Sequence, residues 1–153
     1  MRSPPGESSS SEGTGSSVSR EVLTAKADGK WSIQEHVGHL ADMEPLWLWR
    51  VEDFVSGRET LAMADLTNRR THEANHNGND FKEILEEFRS ARFDLLERLK
   101  KLDGEQFART LVHPRLQQPM RLVDHLYFVA EHDDHHLHGE GGAEHTAVLQ
   151  GEP

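Results

Sequence analysis

The chain has no cysteine among its 153 residues. That absence excludes disulfides, thiolate nucleophiles and cysteine-ligated zinc sites. There is no apolar run long enough to span a bilayer and no signal-peptide core near the N-terminus, so a cytoplasmic location without membrane insertion is expected. Basic residues are also in deficit. With 17 Lys and Arg against 27 Asp and Glu, the net charge is −10. Nucleic-acid binding is disfavoured, because phosphate contacts need clustered cations. The basic residues Arg89, Arg92, Arg98, Lys100 and Lys101 alternate with acids and read as a solvated helix face. Period-two alternation persists nowhere, so strands are not expected. Hydrophobic residues make up 35% of the chain. The deficit is concentrated in residues 1–18, a Ser/Gly/Pro-rich stretch with almost nothing to bury, which reads as a disordered tail.

Histidine and helical periodicity are what the sequence has in quantity. Three segments carry apolar residues at helical intervals. The first runs from Ser32 to about Val55. Ser32-Ile33-Gln34-Glu35 is a capping box. His39, Met43, Leu46, Arg50 and Phe54 share one face, with His36 on its flank. Pro45 interrupts the pattern and is expected to bend the helix. Gly57 ends it. The second runs from Phe81 to about Leu102 behind an Asp80 cap, with Asp103-Gly104 closing it. Its stripe of Phe81, Ile84, Leu85, Phe88, Leu95, Leu99 and Leu102 reads as scaffold. The third spans 120–138, after a Pro-bounded loop at 113–119. A short helix is expected around Thr67–Asn75. These helices sum to one all-α domain, an antiparallel bundle over residues 19–140, followed by a flexible C-terminal tail at 141–153.

The third segment holds His132-Asp133-Asp134-His135-His136. Two imidazoles four residues apart stack one turn apart on a helix and can chelate a metal. His125, Val129, His132 and His136 fall within a sector of roughly 60°, while His135 points aside. An inward-facing imidazole needs a partner. If the first and third helices pack together, His39 converges with His132 and His136. Three ligands with an open fourth position suit a catalytic centre, able to acidify a water or to activate a thiol from a cofactor. Asp42, Asp133 and Asp134 are candidates to orient the imidazoles. Read singly, each histidine has an ordinary explanation. A helical His pair arises by chance in a chain with 11 histidines, and His39 alone reads as a satisfied core residue. His36, His72, His76 and His113 are individually uninformative, and His138 and His145 read as surface. Of Trp47 and Trp49, on different sides of one helix, one is expected in the core and the other at a cleft or interface. Arg50 suits either an anionic substrate group or, more simply, a salt bridge with a neighbouring acid.

Lys30-Trp31-Ser32-Ile33-Gln34-Glu35-His36-Val37-Gly38-His39-Leu40-Ala41-Asp42 resembles the second-helix motif of the DinB/YfiT-like superfamily. Glu131-His132-Asp133-Asp134-His135-His136-Leu137 resembles that family's fourth-helix motif. Their order and separation fit, and the resemblance covers roughly residues 20–138. It implies a DinB-like antiparallel four-helix bundle with a divalent metal, zinc or nickel, held by His39, His132 and His136. It implies also a metal-dependent enzyme acting on a small molecule, either an S-transferase using an external low-molecular-weight thiol or a hydrolase using water. One departure stands out. The family's long first helix is replaced here by a short stretch, Ser19–Lys26. A groove left uncovered would favour a homodimer or a weakly stable chain. The alternative function is a non-catalytic metal-binding or oligomerising stress-related protein with an incomplete bundle.

Overall fold

The computed structural model describes residues 18–138. Apart from Val18, the two expected tails lie outside the described residues. The elements run α1 (Arg20–Thr24), α2 (Ile33–Ser56), α3 (Arg69–Ala74), a 3-10 turn (His76–Gly78), α4 (Phe81–Lys100), α5 (Gly104–Ala108), β1 (Thr110–Val112), β2 (Pro119–Arg121) and α6 (Leu122–His138).

Helix α2 is the central element and packs against both α4 and α6. Its start is fixed by the expected capping box: Ser32 Oγ accepts from Glu35 N, and Glu35 Oε1 accepts from Ser32 N, each at 3.0 Å. Gly57 stops it in the left-handed conformation at φ 76°. Arg109 then donates to the carbonyls of Phe54 (2.8 Å) and Val55 (3.0 Å), which have no partner inside the helix. Pro45 sits within this continuous helix. The core gathers Trp47, Val51 and Phe54 from α2, Leu95 from α4, Leu122 and Val129 from α6, and Leu61 and Leu111 from the connections. Trp47 is the core tryptophan and Trp49 the exposed one.

The fold is mostly helical, as expected, with three differences of detail. Helix α4 ends at Lys100, and Asp103 does not close it. Asp103 instead caps α5, its Oδ1 accepting from Gln106 N at 2.9 Å. Residues 119–121 are not the start of α6 but a strand. It pairs antiparallel with β1, Leu111 opposite Met120. Strands of three residues are too short to show a period-two pattern, so their pairing left no trace in the sequence. Thr60 adds an isolated parallel bridge to Val112. This hairpin brings its turn, with His113 and Arg115, to the wall of the main cavity.

The first helix is short, as the sequence implied. Ser19 caps α1, which has five residues and buries only Leu23. Arg20 ties it to the 76–79 turn by donating to Asn77 O at 2.8 Å. Each of the long helices keeps large apolar side chains exposed, including Trp49, Phe93, Leu96 and Tyr127. No helix among the described residues is long and apolar enough to cross a membrane.

Candidate metal centre

His39 projects from the second turn of α2, and His132 and His136 from the last two turns of α6. The packing of α6 on α2 brings the three rings together. One ligand nitrogen from each lies within 4.8 Å of the other two. Ring centroids are 5.3 Å apart for His39–His132, 4.5 Å for His39–His136 and 4.6 Å for His132–His136. Trp31, just ahead of the α2 cap, covers the group with its ring centroid 4.9 Å from His39 and 5.8 Å from His136.

The three imidazoles are neutral at ordinary pH. Burial, followed by the nearby imidazoles, pushes each of them down to about 3. A neutral imidazole presents one lone pair, which is the form a metal requires.

Hydrogen bonding fixes which nitrogen of His39 carries that lone pair. Thr71 Oγ1 donates its single proton to Asp42 Oδ2 at 2.9 Å. The same oxygen lies 3.0 Å from His39 Nδ1. Having given its proton away, Thr71 accepts there, so His39 Nδ1 is protonated and Nε2 is the free donor to a metal. Asp42 also takes a hydrogen bond from His76 Nε2 at 2.7 Å. His76 reaches it by lying flat on Gly38, where a Cβ would come within 2.3 Å of its ring. Glycine is required there for close approach rather than for backbone freedom.

His136 Nδ1 lies 3.0 Å from His36 Nδ1, so one of the two is protonated and the other accepts. His132 Nδ1 is buried with no hydrogen-bond partner among the described residues. Such an orphan costs on the order of 1–3 kcal/mol unless something binds it. Three neutral imidazoles, one with its tautomer fixed and one with an unsatisfied nitrogen, fit a divalent ion of borderline softness.

Of the three carboxylates expected to orient the ring nitrogens, only Asp42 does so, and it acts through Thr71. Asp133 pairs with Arg92 at 2.8 Å and Asp134 with His138 at 2.8 Å. Of the supporting residues, His36 and His76 read in the sequence as individually uninformative, and Thr71 was not a candidate. His36 had a usable signal, since it lies three residues before His39 on the same side of the helix. Thr71 and His76 had none, because they come from a connection whose path no periodicity reports. Arg50 has no carboxylate partner among the described residues; its Nε donates to Ala62 O at 2.9 Å.

A cavity of about 930 Å³ opens beside the imidazoles, with Met43, Trp47 and Phe128 among its walls. The fold is similar to that of YfiT from Bacillus subtilis, described as a probable metal-dependent hydrolase with an unusual four-helix bundle topology. The TM-score is 0.68 at 20% identity, covering 89% of this chain and 77% of that one. At that identity the likeness shows the fold. No curated protein matches the chain. The DinB superfamily model matches residues 14–138, most of the chain, and the chain therefore belongs to the DinB superfamily.

Proposed function

We propose that the chain is a metal-dependent enzyme for small molecules, with a divalent zinc or nickel ion held by His39, His132 and His136. One observation carries the reading: three neutral imidazoles converge on the wall of a cavity large enough for a substrate. A purely structural metal would be enclosed by four protein ligands. The cavity therefore favours catalysis over the non-catalytic reading.

A metal in this position supplies Lewis acidity, lowering the pKa of a nucleophile brought to the site. The protein's own contributions are orientation and shelter. Thr71 and Asp42 hold His39 in its ligating tautomer. Trp31 shields the imidazoles from bulk water, and Trp47 and Phe128 offer apolar contact to the substrate. Without a cysteine, the chain takes any thiol from outside. In the favoured reaction, the sulfur of an external low-molecular-weight thiol bonds to an electrophilic carbon. The leaving group departs with the electrons of its broken bond, and the thiol proton passes to solvent. Hydrolysis follows the same course with water as nucleophile, and the likeness to YfiT, described as a probable metal-dependent hydrolase, favours that variant. The same reading places the protein in the cytoplasm, where small thiols are kept reduced. It is also a homodimer in this reading, pairing through apolar side chains left exposed on the long helices.

The test uses zinc- and nickel-loaded protein with a small thiol and an alkylating electrophile, in parallel with ester and amide substrates. Turnover that disappears in His136→Ala supports the reading, and the productive substrate set decides between transfer and hydrolysis. Equal rates in wild type and His136→Ala would sink it.

A further inference from the structure

The cavity has a second chemical end. On α2, Arg50 lies three turns beyond His39, and its side chain is 2% exposed. A buried guanidinium is normally paired with a carboxylate. Arg50 has no such ion pair among the described residues, and the nearest candidate, Asp53, is engaged elsewhere. Asp53 Oδ2 accepts from Ala62 N at 2.7 Å, and its Oδ1 faces Arg58 Nε at 3.4 Å. Of the five N–H donors of Arg50, Nε is the one used among the described residues, on Ala62 O. The guanidinium lies against the Trp47 ring at 5.7 Å and forms part of the cavity wall.

Two further groups share that end. His113 Nδ1 accepts from the backbone N–H groups of Arg115 (3.2 Å) and Leu116 (3.1 Å). Its proton therefore sits on Nε2, and the ring is a fixed neutral donor. Burial, then Arg50 and Arg115, push its pKa down to about 4, consistent with that form. Arg115 itself lines the cavity. The charge of the whole lining points the same way. The chain holds 27 acids and a net charge of −10, yet among the described residues no Asp or Glu lines this cavity, whereas Lys30, Arg50 and Arg115 do.

We propose that Arg50, with His113, forms an oxyanion-binding subsite for the carboxylate or phosphate of the substrate. The reacting group of that substrate would lie at His39, His132 and His136. Only this last placement rests on the metal-dependent activity proposed above; the subsite itself does not. Trp47 sets the spacing. Its ring is 5.3 Å from His132 and 5.7 Å from the Arg50 guanidinium. The His132 ring and the Arg50 guanidinium are thus separated by no more than those two steps end to end, which suits a small molecule with an anionic group at one end and its reacting group at the other. The guanidinium lines the cavity, and to an anion bound there the two terminal amino groups of Arg50 would give the paired hydrogen bonds that a carboxylate or phosphate accepts.

Titration of wild-type protein with succinate and with inorganic phosphate, at constant ionic strength, tests this through the tryptophan fluorescence and the melting temperature. Saturable binding is expected, weakened about tenfold or more in Arg50→Met, a loss typical of a charge-assisted contact. The stronger of the two probes identifies the head group. Metal content of Arg50→Met should equal that of wild type, which also shows that the variant is folded. If that variant does not fold, His113→Phe removes one donor and must weaken binding as well. Equal affinity in wild type and in the folded variants, or no saturable binding by wild type, overturns the proposal. So does anion binding that vanishes in His39→Ala but survives in Arg50→Met, since the anion would then be a metal ligand; the metal site itself would remain supported. Anion binding that depends on Arg50 in a protein without metal would keep the subsite and remove the metal reading.

Discussion

The Thr71 hydroxyl decides the tautomer of His39 through the hydrogen bond at its Nδ1. Its proton goes to Asp42, so it can only accept from His39 Nδ1. Thr71→Val keeps the shape and removes the acceptor. Metal affinity, measured by competition with a chelator, should fall by about 10–100-fold, with Thr71→Ser close to wild type. Unchanged affinity in Thr71→Val would mean that the relay does not orient the ring. His125 makes a contrasting case. It is fully buried between Trp47, Phe54 and Phe128, and both of its ring nitrogens lack partners. Burial pushes it from 6.5 down to about 3. Between those values the unfolded chain binds a proton that the folded chain refuses. Stability is therefore full above about pH 6.5 and falls as pH drops towards 3, by up to about 1.4 kcal/mol per unit. His125→Leu should raise stability at pH 7 by about 1–2 kcal/mol and flatten that slope in urea titrations at several pH values. A destabilised His125→Leu with an unchanged slope would contradict this. The pairing of His132 with His136 was legible in the sequence because helical spacing places them, whereas His39 joined them only on the condition that its helix packs beside theirs. The threonine behind His39 was not, because a loop residue's partner depends on the path of the chain in space.

At the scale of elements, Arg92 on α4 joins the other two long helices. It contacts Glu44 of α2 and Asp133 of α6. Glu44 is 1% exposed, and burial raises its pKa despite the guanidinium. Because Asp133 neighbours His132, this bridge also holds α6 in register with His39. Arg92→Met leaves Glu44 buried and unpaired. It should cost about 3–5 kcal/mol in chemical denaturation, and a cost under about 1 kcal/mol would show that the bridge is not cooperative. The sequence reading placed Arg92 on a solvated face; its acidic partners lie on other helices, which no pattern within α4 reports. The helices themselves were legible because capping residues and apolar stripes are local: Ser32, Glu35, Gly57 and Asp80 mark three boundaries correctly. The β1–β2 hairpin was not, since its strands are defined by their pairing and by the bridge to Thr60.

For the whole molecule, the five-residue α1 leaves three long helices among the described residues, α2, α4 and α6. The exposed Trp49, Phe93 and Tyr127 motivate the proposed homodimer. Sedimentation velocity at micromolar concentration should give a dimer; a stable, well-folded monomer would contradict it. Net charge told against nucleic acid, but it could not reveal that the described residues of the cavity wall include no acid, because that depends on which residues the fold turns inward.

The central claim is that His39, His132 and His136 hold one metal ion. Elemental analysis of tag-free protein, wild type beside His39→Ala, tests it most directly. The account predicts about one zinc or nickel per wild-type chain and its loss in the variant. No metal in the wild type, or the same metal content in His39→Ala, would contradict it.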